Sequence, residues 1–147
     1  MEAREIMRKI AMALMAVAAV SIGLVGCGGD DDGNAAGTVD VTLSDFKLEL
    51  SDTSAPAGEV TFEVENKGPS VHEFVVFKTD LEPDALPTEE SGDVEESDEF
   101  APVDEIEDIA KDAHPKLTVD LAAGDYVLIC NIPAHYRQGM RTSFTVT

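Results

Sequence analysis

The span Leu117-Thr118-Val119-Asp120-Leu121-Ala122-Ala123-Gly124-Asp125-Tyr126-Val127-Leu128-Ile129-Cys130 holds two β-strand signals and the joint between them. Leu117, Val119 and Leu121 alternate with polar Thr118 and Asp120, the period of two that marks a strand with one dry face. Ala123-Gly124-Asp125 is turn chemistry and Tyr126 to Cys130 is continuously apolar, so the span is expected to fold as a β-hairpin. Downstream, Thr142 to Val146 supplies a last strand. Upstream, Val60, Phe62 and Val64 alternate with Thr61, Glu63 and Glu65, a strand with one wet face. Val71 to Phe77 is apolar apart from His72 and Glu73, as expected of a strand shielded on both sides. Val39, Val41 and Leu43 hold one parity while Phe46, Leu48 and Leu50 hold the other, which a β-bulge near Ser44 and Asp45 reconciles. Ala55-Pro56-Ala57-Gly58 and Asn66-Lys67-Gly68-Pro69 punctuate these runs as turns. Strands at this spacing, with no long helical pattern, predict an all-β fold: a two-sheet antiparallel β-sandwich rather than a barrel or a helical domain.

Residues 80–115 interrupt that rhythm. They hold 15 acidic residues against a single basic one, Lys111, together with Pro83, Pro87, Pro102 and Pro115. The segment is too long for an ordinary connection and reads as an acidic insertion. Leu81, Leu86, Phe100, Val103, Ile106 and Ile109 recur through it, so part of it is expected to pack on the sandwich. Val103 to Ala110 suits a helix or a strand. The acidic run suits either attraction of a partner or a merely solvated loop.

Lysine and arginine number 10 against 30 aspartates and glutamates in a chain of 147 residues, a formal charge of -20. That balance excludes nucleic acid as an expected partner and favours basic ones. Arg4, Arg8 and Lys9 precede an apolar run from Ile10 to Gly26, which reads as a signal peptide over residues 1–26. Leu24-Val25-Gly26-Cys27 resembles the lipobox of bacterial lipoproteins, so Cys27 is the expected lipidation site. The alternative is an uncleaved membrane helix with an incidental cysteine; both place the remainder outside the cytoplasm. Residues 27–37, with Gly28 to Gly37 rich in glycine and aspartate, form the expected tether, and 38–147 the domain. Two acyl chains suffice to hold such a protein at a membrane surface.

The chemistry concentrates in Cys130-Asn131-Ile132-Pro133-Ala134-His135-Tyr136-Arg137-Gln138-Gly139-Met140. Cysteine, histidine and methionine follow at intervals of five, and each is scarce: beyond the export segment Met140 is the only methionine and Cys130 the only cysteine besides Cys27. A lone thiol in an exported domain has no disulfide partner, and metal binding explains it. Thiolate, thioether and imidazole together suit copper, and two histidines, a cysteine and a weak axial methionine form the pattern of electron-transfer copper sites. The best candidate for the second histidine is His72, a polar ring in an otherwise apolar strand that needs a partner. His114, beside Pro115 in the acidic segment, is the competitor.

Cys130, His135 and Met140 resemble the copper loop of the blue copper proteins, or cupredoxins, with a spacing similar to that of auracyanin and plastocyanin-like lipoproteins. In that family the first histidine follows an Asn-x-Gly turn, and Asn66-Lys67-Gly68 precedes His72 here. The resemblance spans Val39 to Thr147 in strand order and is specific around His72 and from Gly124 to Thr147. It implies a Greek-key sandwich, one copper ion cycling between Cu(I) and Cu(II), and one-electron transfer without catalysis. It also implies an electron port at the edge of His135, flanked by Pro133, Ala134 and Tyr136. Glu73 departs from the family pattern: plastocyanin and azurin place there an asparagine that ties the ligand loops together. Strand alternation predicts that the Glu73 side chain points away from the metal. The expected partners are a basic cytochrome or a membrane electron-transfer complex. The rival reading is a lipoprotein that buffers or delivers copper, against which stands the lack of a methionine- or histidine-rich tract; a zinc site accounts poorly for the methionine.

Overall fold

The computed structural model describes residues 35–147. The signal peptide, Cys27 and the first part of the tether lie outside the described residues. Within them the chain forms nine strands and no helix. They are β1 (Ala35–Ser44), β2 (Lys47–Leu50), β3 (Ser54–Ala55), β4 (Gly58–Asn66), β5 (His72–Lys78), β6 (Asp104–Ile109), β7 (Lys116–Leu121), β8 (Gly124–Ile129) and β9 (Arg141–Val146). One sheet runs β2-β1-β4-β7 and the other β3-β9-β8-β5-β6. The sandwich is therefore as expected, but its sheets are mixed, because β1 pairs with β4 and β3 with β9 in parallel. β1 also begins at Ala35, inside the stretch expected as tether.

Between the sheets, alternate residues meet in one apolar layer. Val60, Phe62 and Val64 of β4 are buried and their neighbours are not. Phe62 lies 5.2 Å from Phe74 and 5.4 Å from Phe144 between ring centroids, so the layer is knit across both sheets by aromatic pairs. β5 and β8 bury both faces. Phe74, Val76, Tyr126 and Leu128 enter the inner layer, while Val75, Phe77, Val127 and Ile129 face outward into a second one.

The acidic segment closes that second layer. Leu86 and Val94 are buried in it, and the Phe100 ring stacks on Phe77 at 4.8 Å and 10°. Leu81 and Val103 stay exposed. The open question at 103–110 resolves as β6, which pairs antiparallel with β5.

Two expected joints fold differently. Leu117–Cys130 is not a hairpin: β7 pairs with β4 in one sheet, and β8 lies between β5 and β9 in the other. The polarity of the strands explains this. β7 has one dry face and serves as an edge strand, whereas β8, apolar on both faces, needs cover on both sides. The crossing is pinned by the Tyr126 hydroxyl, which donates to the Ala122 carbonyl at 2.7 Å, and Gly124 takes a φ of 145° there. At the other joint, a two-residue turn at Asp45 and Phe46 replaces the expected bulge, pairing Ser44 with Lys47 and reversing the chain. Reversal changes facing parity as a bulge does, so the alternation alone does not separate them.

Candidate metal centre

β5 opens with His72, which is fully buried. Asn66 prepares its approach: the side chain, itself fully buried, donates to the carbonyls of Ser70 and Ile109 at 2.8 Å each and accepts from Gly68 N–H at 2.9 Å. The Asn-Lys-Gly turn is thus tied both to the next turn and to β6.

The other donors bracket the loop from β8 to β9. The Cys130 N–H donates to the Met140 carbonyl at 3.0 Å, and the Met140 N–H to the His135 carbonyl at 3.1 Å. Ala134 and Gly139 take the left-handed backbone, at φ of 69° and 120°, which tightens the loop. Gly139 is needed, since a Cβ there meets the Phe46 carbonyl at 3.3 Å in an already unfavourable conformation.

The three strongest donors converge. The Nδ1 atoms of His72 and His135 are 3.2 Å apart, and Cys130 Sγ lies 3.7 Å from the first and 3.5 Å from the second. A point equidistant from these atoms is about 2.0 Å from each, close to the bonds that imidazole and thiolate make to a first-row metal. The two sides ending on sulfur are the longer ones, as the longer metal–sulfur bond requires. Met140 is fully buried in the same apolar cluster as Cys130. The residues fit one type 1 copper ion.

The electrostatics agree with a cation site. Burial, and then the neighbouring His135, lower the His72 pKa, while Asp45 acts in the opposite direction. Burial pushes the Cys130 thiol up, against the N–H groups of Glu73 and Ile132 that favour its thiolate. A bound metal ion would offset the cost of holding that thiolate in a buried place. The Glu73 N–H reaches Cys130 Sγ at 3.3 Å, so the backbone at this position ties β5 to the sulfur. The Glu73 carboxyl is pushed up to about 7 by burial, then by Glu107, Glu105, Glu96 and Asp108.

His114 is exposed on the surface beside Lys116 and Glu63 and takes no part in the donor cluster. Among the expected port residues, Pro133 is exposed and Ala134 half-buried, but Tyr136 is not a surface residue at all. It is 2% exposed; its hydroxyl donates to the Pro83 carbonyl at 2.8 Å and accepts from Leu86 N–H at 3.0 Å. The acidic segment draws this side chain inward. Asn131 and Arg137 of the same loop also grip that segment, through Val94, Glu96, Thr88 and Glu89. Phe46 lies on the exposed side instead, 45% exposed, with its ring edge-on to His135 at 5.7 Å. Phe46 and Asp45 carry no site signal in the sequence; the parity break at Ser44 and Asp45 is the one feature that marks this place.

Family comparison matches residues 10–142 to a cupredoxin-like domain. The chain belongs to the cupredoxin family. Reduced auracyanin from Roseiflexus castenholzii superposes on this cupredoxin with a TM-score of 0.60 at 20% identity, covering 78% of this chain and 99% of that one. For auracyanin B the values are 0.54 and 22%, covering 79% and 92%. For a rusticyanin they are 0.57 and 20%, covering 83% and 86%. These likenesses establish the fold. No curated protein sequence matches the chain.

Proposed function

We propose that this cupredoxin is a one-electron carrier, held by a lipid on Cys27 at the outer face of a bacterial membrane after loss of residues 1–26. His72, Cys130 and His135 would hold the ion through two imidazole nitrogens and a thiolate, and Met140 would add a weaker thioether donor. The copper ion supplies a Cu(I)/Cu(II) couple. The protein contributes a site whose shape does not depend on the charge of the ion. His72 is fixed by β5 and Asn66; Cys130 and Met140 are fixed to each other by a backbone bond where β8 and β9 converge. Ligands held this way move little when the ion's charge changes, which limits the reorganisation that slows electron transfer. The observation that carries the reading is the Nδ1, Nδ1, Sγ triangle with sides of 3.2, 3.5 and 3.7 Å.

The edge of His135, beside exposed Pro133, half-buried Ala134 and exposed Phe46, is the electron port. The formal charge of -20 favours a partner with a positive docking face, such as a basic cytochrome or a membrane electron-transfer complex.

The test is an absorption and electron paramagnetic resonance spectrum of the copper-loaded protein. An intense sulfur-to-copper visible band is expected, lost in Cys130→Ser. A colourless wild-type protein would rule the reading out. Reversible redox cycling with copper retained supports a carrier, whereas transfer of copper to an apo-acceptor favours buffering or delivery.

A further inference from the structure

The tip of the β1–β2 hairpin reaches both histidines of the centre, Asp45 facing His72 and Phe46 facing His135. His72 turns Nδ1 toward Cys130 and His135, which leaves Nε2 buried against the hairpin. Among the described residues Nε2 has no aligned hydrogen-bond partner; Asp45 Oδ1 lies 3.4 Å from it, so the interaction is chiefly a charge facing a ring dipole. The carboxylate is itself anchored, accepting Ser70 N–H at 3.3 Å on Oδ1 and Ser70 Oγ–H at 3.2 Å on Oδ2. Gly68 makes room for this arrangement. A Cβ there comes within 2.8 Å of His72 Nε2 and 2.9 Å of both Asp45 N and Asp45 Oδ1. Three elements, the hairpin tip, the Asn66–Ser70 turn and the start of β5, are thus packed so that a carboxylate faces the free nitrogen of a ligand ring.

We propose that Asp45 is a positioning residue for the metal ligand His72, acting through Nε2 to orient the ring and to favour the cupric over the cuprous ion. This inference rests on the copper reading above. A carboxylate facing the remote N–H of a ligating imidazole fixes its tautomer and raises its donor strength, and loss of such a partner weakens metal binding by 10- to 100-fold. A negative charge a few ångströms beyond the ring stabilises the more positive oxidation state more than the less positive one.

Asp45→Asn keeps the shape and leaves a carbonyl to accept from Ser70, but removes the charge. Its ratio of cupric to cuprous affinity should fall about tenfold, read as a rise of about 59 mV in the one-electron midpoint potential. In the copper-free protein, nitrogen NMR should find His72 locked in the Nε2–H tautomer, and Asp45→Asn should populate both tautomers. Ser70→Ala removes the hydroxyl that anchors Oδ2, leaves the Ser70 N–H on Oδ1 and keeps the carboxylate's charge, so it should move the potential much less. An unchanged midpoint in a blue, folded Asp45→Asn protein overturns the proposal while leaving the copper reading intact. So does a Ser70→Ala shift as large as that of Asp45→Asn, because the hairpin's shape and not its charge would then be acting. If the wild-type protein itself takes up no copper as a blue centre, it is the reading beneath that fails.

Discussion

Two apolar layers share the β5–β8 pair, and they are built by different means. The inner layer lies between two sheets, so apart from Cys130 and Met140 its buried side chains are supplied by strands whose backbones are already hydrogen-bonded on at least one edge. The outer layer is roofed by residues 80–103, a segment with only isolated bridges between Thr88 and Val94 and between Ser97 and Phe100. Its roof is held down mainly by side chains of the ligand loop: Asn131 grips Val94 and Glu96, Tyr136 grips Pro83 and Leu86, and Arg137 grips Thr88 and Glu89. One layer is secured by the sheets; the other is secured by the segment that also carries the metal donors. The difference predicts global failure when the first is damaged and local opening when the second is.

The largest effect should come from Phe62→Ala. Phe62 is fully buried and packs on Phe74 and Phe144, so truncation removes a large apolar surface and leaves a cavity between the sheets. A loss of about 3–5 kcal/mol is expected, seen as one cooperative shift of the urea midpoint of the copper-free protein. A loss below about 1 kcal/mol would mean that the inner layer collapses around the gap and does not hold the sheets together.

Tyr136→Phe should cost less and act in one place. It keeps the ring under the Arg141 guanidinium but removes the hydroxyl that serves both the Pro83 carbonyl and the Leu86 N–H. Leaving these groups unpaired costs about 1–3 kcal/mol. The expected readout is faster cleavage by a glutamate-specific protease among Glu82, Glu89, Glu90, Glu95, Glu96 and Glu99, before any change at the sandwich strands. Cleavage that speeds up equally throughout the chain would erase the distinction between the layers.

The inner layer was legible in the sequence because its outer partners are wet: Thr61, Glu63 and Glu65 make the period of β4 plain. β5 announced that both its faces are covered, but nothing local could say by what, since the roof comes from irregular backbone with no period of its own. The same limit explains the misread joint at Leu117–Cys130. Turn chemistry at Gly124 serves a hairpin and a crossing between sheets alike, and only the second apolar face of β8 separates them. The donors were legible because scarce residues stood at fixed intervals and because His72 was polar in an apolar strand. Tyr136 was not, since an aromatic beside a ligand looks the same in sequence whether it covers the metal or reaches back to Pro83. Asp45 was hidden because its partner lies across the fold, brought near by Gly68.

The smallest effect is expected at the seam between the roof and β6. Glu105 of β6 has its pKa raised, by burial first and then by Glu96 of the roof and by Glu107 and Asp104 of its own strand; Glu73 of β5 faces the same acidic group. A carboxyl with a raised folded pKa holds its proton longer in the native state than in the unfolded one. Stability then falls as pH rises from the unfolded value near 4.5 through the folded value, and the penalty is fully present above it. The urea midpoint of the copper-free protein should therefore be higher at about pH 5.5 than at about pH 8. General repulsion in a chain of charge -20 acts in the same direction, so the specific test is Glu105→Gln, which should narrow the gap between the two midpoints. Glutamate-specific cleavage of the roof at the higher pH should slow in the same variant, because Glu96 then faces a neutral neighbour. A variant with the full pH dependence and unchanged cleavage would show that repulsion across this seam does not set how firmly the roof sits on the outer layer.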